Sequence, residues 1–173
     1  MKVAGLDREL EKFPVNEKLD IAAFIMFGDV EITEKAAQEL LKICPEHDVV
    51  VTAEAKGIPL CYEMARQGCR KYVVARKGVK VYMRNPIEVT VKSITTANVQ
   101  KLYFGENDAQ FLKGKKVLIV DDVISTGDSI NALCELVEKT GAKIVGKATV
   151  LAEGDAKDRK DIIYLDELPL FFK

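Results

Sequence analysis

The chain has 173 residues, 48% of them hydrophobic and 31% charged, and its 26 basic against 27 acidic side chains leave a formal net charge of -1. That balance suits one globular domain with a real core, and it excludes a sequence-wide basic field for nucleic acid or anionic lipid. No apolar run approaches the ~20 residues that span a bilayer, and Met1 to Asp7 carries no apolar signal core, so the expectation is a cytoplasmic protein that does not enter the membrane.

Lys18 to Phe27 alternates partly and ends at Gly28-Asp29, which reads as a strand and a turn, with a buried helix as the rival. Thr33 to Ile43 is an amphipathic helix. Thr33 is its candidate cap, Ala36, Ala37, Leu40 and Leu41 share one face, and Pro45 closes it. Asp48 to Thr52 predicts a short buried strand, which runs into Ala53-Glu54-Ala55-Lys56-Gly57 and then a helix from about Pro59 to Gln67, stopped by Gly68. Lys71 to Arg76 is the next strand. After it the pattern changes: Ile87, Val89 and Val91 alternate with polar residues, and so do Leu102 and Phe104, around Thr95-Thr96-Ala97-Asn98. That predicts a two-stranded ribbon.

Val117 to Val120 reads as a buried strand with Asp121 and Asp122 at its carboxyl end, followed by a helix over 128–140 that buries Ile130, Leu133, Leu136 and Val137. Strands are expected at 143–151 and 161–165. The order predicts an α/β fold, a parallel helix-flanked sheet with right-handed crossovers. With no internal repeat or low-complexity linker, residues 1–173 form a single domain.

Three predicted strand ends fall on one edge of such a sheet, which is where ligands bind in open α/β folds. The loop Ser125-Thr126-Gly127-Asp128-Ser129 and the helix start behind it offer free backbone N–H groups to an anion. Ala55 and Gly57 let a second loop approach an anion closely, and Lys56 adds charge. Arg76, Lys77 and the nearby Lys80 make a basic knot suited to a phosphate group. Taken singly, Lys56 or Lys80 reads equally well as a solvated charge and Arg76 as half of an ion pair. Two adjacent carboxylates between two anion sites suggest a sugar phosphate with a second phosphate group at its other end. The four cysteines (Cys44, Cys61, Cys69, Cys134) lack close metal-ligand spacing, and the only histidine, His47, lies between Glu46 and Asp48. A zinc site is not expected. Cys61 and Cys134 read as buried reduced thiols and His47 as a surface residue.

The run from Val117 to Ser129 resembles the signature of the type I phosphoribosyltransferases: four apolar residues, two acids, two apolar residues, then a small-Thr-Gly-x-Ser/Thr loop. The resemblance extends over roughly residues 18 to 170. It implies transfer of a ribosyl 5-phosphate from phosphoribosyl pyrophosphate to a nitrogen base. Ser125, Thr126, Gly127, Asp128 and Ser129 match the 5-phosphate loop, and Asp121 and Asp122 match the catalytic acids near the ribose hydroxyls. Ala55, Lys56 and Gly57 match the pyrophosphate loop, with Arg76, Lys77 and Lys80 beside it. Mg²⁺ is implied, bound mainly through substrate oxygens with no direct protein ligand set. No residue stands out as a general base.

Val-Thr-Ala-Glu-Ala-Lys-Gly-Ile-Pro together with Ala-Arg-Lys resembles the purine members, those for adenine and xanthine in particular. A small hood from about 13–29 and 152–172 is then expected to choose the base, with Leu19, Phe24 (or Phe27), Met26 and Glu153 as candidates. Met26 and Gly154 stand where xanthine enzymes carry polar readers, which tilts the reading toward adenine. Xanthine, hypoxanthine or guanine is the alternative. The ribbon at 84–104 resembles a mobile catalytic loop, with Lys92 to Thr96 as its lid and a fixed edge hairpin as the rival. A homodimer is expected, with apolar surplus at Met64, Tyr72 and Tyr82. A regulator that senses phosphoribosyl pyrophosphate is the reading from another class, but the sequence offers no segment for a DNA-binding module.

Overall fold

Alternation along the central strands sorts apolar side chains onto two faces, and each face needs a cover. A computed structural model describes residues 1–91 and 100–173 and shows both covers in place. The chain begins with a small hairpin, β1 (Lys2–Val3) and β2 (Leu6–Asp7), then β3 (Lys12–Asn16) and β4 (Leu19–Ala22). Helix α1 (Val30–Ile43), β5 (Val49–Ala53), α2 (Ile58–Gln67) and β6 (Tyr72–Ala75) follow. The ribbon is β7 (Ile87–Val91) and β8 (Gln100–Phe104), and a short α3 (Glu106–Leu112) leads to β9 (Lys116–Ile124). Then come α4 (Asp128–Glu138), β10 (Lys143–Glu153), a 3-10 turn at Gly154–Asp158, β11 (Ile163–Leu168) and β12 (Leu170–Phe172).

The main sheet has the order β11-β10-β9-β5-β6, and every pairing in it is parallel. The chain builds outward from β5 to β6, then returns to the other side of β5 and builds through β9, β10 and β11. The direction therefore reverses between β5 and β9, and loops leaving the carboxyl ends of those two strands flank a crevice. Val49, Val51, Val117 and Ile119 face α4 and the ribbon, packing with Ile130, Leu133, Leu136 and Leu102. Val50, Leu118, Val120 and Val150 face α1 and α2, packing with Ile32, Leu40, Leu60 and Met64. A separate three-stranded sheet, β12-β4-β3, ties the segment before α1 to the end of the chain.

The expected α/β architecture with a parallel helix-flanked sheet is present, and local differences have physical causes. The strand expected over 18–27 stops at Ala22, because its hydrogen bonds go to β3 and β12 and end there. Asp29, not Thr33, caps α1: its carboxylate accepts the Ile32 N–H at 3.1 Å, while Thr33 sits inside the helix and donates its hydroxyl to the Asp29 carbonyl. The two acids lie within β9, which runs on to Ile124, not after it. Helix α3 is too short for its periodicity to register. Met64 is fully buried in the core and adds nothing to a surface patch. His47 is half-buried, with Nδ1 2.8 Å from the Pro45 carbonyl, and Cys134 is half-buried and not enclosed. Lys92 to Thr96, the expected lid, lies outside the described residues. Among the described residues no helix is long and apolar enough to cross a membrane.

Candidate active site

Parallel register places the ends of β5 and β6 side by side, with β9 running on past them to Ile124, so three loops leave the sheet on its carboxyl side. The loop after β5 presses hard onto β9. A Cβ on Gly57 would overlap Thr52 Oγ1 and come within 3.0 Å of Asp121 Oδ1 and 3.4 Å of Asp121 Cα. Only glycine permits that approach. The Glu54–Ala55 peptide bond in this loop is cis. Lys56 then reaches across the crevice, its Nζ 2.9 Å from Asp122 Oδ2. Asp122 is buried, whereas Lys56 is half-exposed, so the ammonium closes the open side of a sunken carboxylate.

The acid pair is electrostatically tense. Burial, and then the adjacent Asp122 carboxylate, push the Asp121 carboxyl well above the usual carboxylate range, while Lys56 pulls the other way. One Asp121 oxygen also accepts the Asp122 backbone N–H at 2.9 Å. Glu153, at the end of β10, is half-buried; burial raises it too, again opposed by the Lys56 charge. Lys56 thus serves three carboxyl groups at one rim.

Arg76 follows β6 directly and is held from two sides. Its Nε donates to Glu54 and its Nη1 to the Tyr82 hydroxyl. The second Glu54 oxygen accepts the Lys77 backbone N–H at 2.8 Å. Burial opposes ionisation of Glu54, but the Lys77 amide, the Arg76 guanidinium and the Lys80 charge together hold it below its ordinary value. The Arg76 side chain, the Lys77 amide and the Lys80 charge thus gather about one carboxylate. Reciprocal backbone bonds between Arg76 and Tyr103, at 3.0 and 2.8 Å, fasten the ribbon to the same strand end.

The third loop turns at Gly127, whose φ of +87° suits glycine, and α4 begins there without a side-chain cap. The cap residue thus supplies no side chain to the first-turn N–H groups, although the Asp128 N–H donates to Thr126 Oγ1 at 3.4 Å. Ser125, Thr126 and Ser129 are exposed, and the Thr126 hydroxyl donates to Asp128 Oδ2 at 3.1 Å. Against Gly127 packs Arg159, a residue with no signal in the sequence reading: a Cβ at Gly127 would overlap its Nη1, and its Cζ would stand 3.3 Å off. Glu54 and Tyr82 were likewise invisible as organisers of Arg76, because they lie 22 and 6 residues from it and only the folded sheet brings them together.

The candidate base residues divide. Glu153 joins the rim, and Leu19 is half-buried in β4. Phe24 and Met26 are 5% and 1% exposed and pack within the α1–α2 core, while Phe27 is 54% exposed. Met26, Phe27 and Tyr62 help line a cavity of about 410 Å³ between the α1 start and α2, which none of the three rim loops enters.

This geometry agrees with comparisons to known proteins. A family model described as phosphoribosyl transferase domain matches residues 27–168. A hypoxanthine/guanine phosphoribosyltransferase from Methanococcus voltae is 33% identical over 162 residues, covering 89% of this chain and 83% of the relative. An adenine phosphoribosyltransferase from Rhodococcus jostii is 32% identical over 132 residues, covering 73% and 69%. Among solved structures, adenine phosphoribosyltransferase from Thermoanaerobacter pseudethanolicus superposes with a TM-score of 0.73 at 21% identity, over 92% of this chain and 95% of that one. The enzyme from Saccharomyces cerevisiae, solved with adenine and an imino-altritol bisphosphate, gives 0.72 at 22%, over 91% and 93%. At those identities the structures speak for the fold. With the family model spanning most of the chain and a relative matched over most of its length, this chain belongs to the type I phosphoribosyltransferases, the phosphoribosyl transferase domain family.

Proposed function

We propose that the protein transfers the 5-phosphoribosyl group of phosphoribosyl pyrophosphate to a purine, with adenine as acceptor and the nucleotide and pyrophosphate as products. The observation that carries the reading is the 2.9 Å Lys56–Asp122 pair, which joins the loop after β5 to the strand that feeds the loop before α4. In this reading the amides of Ser125 to Ser129 take the 5-phosphate. Ala55, Lys56, Gly57, Arg76, Lys77 and Lys80 take the pyrophosphate. Asp121 and Asp122 meet the ribose hydroxyls between them.

As the bond from the anomeric carbon to pyrophosphate loosens, positive charge develops on the ring. Asp122 beneath it tolerates that charge, and the basic knot stabilises the departing anion. Asp121, which burial keeps protonated more readily, adds a hydrogen bond without a second full negative charge. The purine nitrogen then attacks from the opposite face. Among the described residues no group of three or more acidic, cysteine or histidine side chains gathers as a metal cage. The acid pair fits Mg²⁺ as an ion carried chiefly by substrate oxygens, where it would neutralise pyrophosphate charge.

The whole chain acts as one domain in this proposal. The sheet β12-β4-β3 and the segments at 13–29 and 152–172 form the hood, and the ribbon at 84–104 excludes water. Adenine is supported by the apolar Met26 and by Gly154 in place of polar readers. Hypoxanthine or guanine is favoured instead by relatives such as the Methanococcus voltae protein. A purine panel assayed with phosphoribosyl pyrophosphate and Mg²⁺ decides: AMP formation fastest of all supports adenine, IMP or GMP fastest moves the acceptor, and no nucleotide from any purine rejects the proposal.

We further propose a homodimer in the cytoplasm. Tyr62 on α2 and Tyr72 at the start of β6 are exposed and stack edge to face with centroids 5.9 Å apart, and Val81 and Tyr82 beyond β6 are exposed too. Exposed aromatic side chains of this kind suit a protein–protein interface. Sedimentation at micromolar concentration is expected to show twice the chain mass, and a single 19.2 kDa species would contradict it.

A further inference from the structure

We infer that Arg159 is a positioning residue for the 5-phosphate, a cationic wall that shapes the turn at Gly127 and lends it charge. The inference rests on the reading of residues 125–129 as the phosphate loop. It is carried by how Arg159 is mounted. Nε and Nη2 form a fork onto Asp161, at 2.9 Å to Oδ1 and 2.8 Å to Oδ2. Lys147, on β10, donates to the same carboxylate. The guanidinium plane is thereby fixed, and its remaining nitrogen, Nη1, has no hydrogen-bond partner among the described residues. That nitrogen is the one packed on Gly127, at the handover from the loop to α4.

The charge balance of this mount is informative. Two cations, Lys147 and Arg159, share one direct carboxylate, Asp161. The excess positive charge stands beside the positive end of the α4 dipole, where cations are disfavoured. The Asp128 carboxylate in the first turn offsets part of it. An arrangement that places cationic excess at a helix start is favourable once an anion is bound there. The Asp161 fork also explains why arginine, with a planar group and a spare edge, fits better than lysine. The contact further constrains the loop: at position 127 a side chain meets both an unfavourable φ and the guanidinium.

The test compares wild type with Arg159→Ala, Arg159→Lys and Asp161→Asn, each checked by thermal melting. Steady-state rates are measured against phosphoribosyl pyrophosphate and, separately, against the purine that the wild type uses. Losing the cation that backs the turn predicts a rise of about ten- to a hundred-fold in KM for phosphoribosyl pyrophosphate in Arg159→Ala. KM for the purine and kcat should change far less. Arg159→Lys should recover part of the loss, and Asp161→Asn should fall between. An unchanged KM for phosphoribosyl pyrophosphate in a folded Arg159→Ala, or an equal rise for both substrates, overturns the inference. If Arg159→Ala does not fold, unchanged values in the other two variants overturn it. Should wild type form no nucleotide, the enzymatic reading fails by itself. Arg159 is then judged by titrating inorganic phosphate followed by ³¹P NMR, where equal binding by wild type and Arg159→Lys overturns the role.

Discussion

Asp121 shows how one side chain serves a site at the expense of the fold. Its carboxyl is raised by burial and by Asp122, so the folded protein keeps a proton that the unfolded chain has released. The sign follows from linkage. Stability is lost as pH rises from the ordinary aspartate value of 3.8 toward about 8, because the unfolded chain ionises freely while the native state is held to its proton. Asp121→Asn removes that penalty. Its melting temperature relative to wild type should therefore climb between pH 5 and pH 8, and a pH-independent difference would contradict the burial argument. The acids themselves were legible from sequence, since two neighbouring carboxylates at a strand end have no packing purpose. Arg159 and Glu54 were not, because each acts on a residue far away in the chain. Phe24 and Met26 were ambiguous for the reverse reason: an aromatic and a thioether look equally like ligand and core in sequence, and both turn out to be buried.

At the scale of elements, the long periodic pieces were readable and the short ones were not. Helix α1 declares itself through the Ala36-Ala37-Leu40 face, and the ribbon through the alternation of Val89, Val91, Leu102 and Phe104. Hairpin β1–β2, helix α3 and strand β12 have two, seven and three residues per element, too few for a period to repeat. Their existence depends on partners elsewhere, as when β12 pairs with β4 from the opposite end of the chain. The loop after β5 is the element on which the site depends most. Gly57→Ala should push it off β9, because a Cβ overlaps Thr52 Oγ1 and crowds Asp121. Overpacking of this kind costs roughly 1–3 kcal/mol in stability. The larger effect is expected on turnover, with a fall of about a hundred-fold for an ångström-scale misplacement. Thermal melts and initial rates check both, and wild-type turnover in this variant would mean that the close approach has no role.

For the whole molecule, the reversal of direction between β5 and β9 is what gathers the chemistry. One chain builds a sheet outward on both sides of β5, and the crevice at the reversal receives Lys56 from one loop, the acid pair from β9 and the amides of α4 from another. The central claim is that this crevice grips both anionic ends of one activated sugar. A crystal structure of the protein with phosphoribosyl pyrophosphate and Mg²⁺ tests it most directly. The account predicts the 5-phosphate on the amides of Ser125 to Ser129, and the pyrophosphate between Lys56 and Arg76. Asp121 and Asp122 should then lie against the ribose. A donor bound with its phosphate groups away from both loops would contradict it.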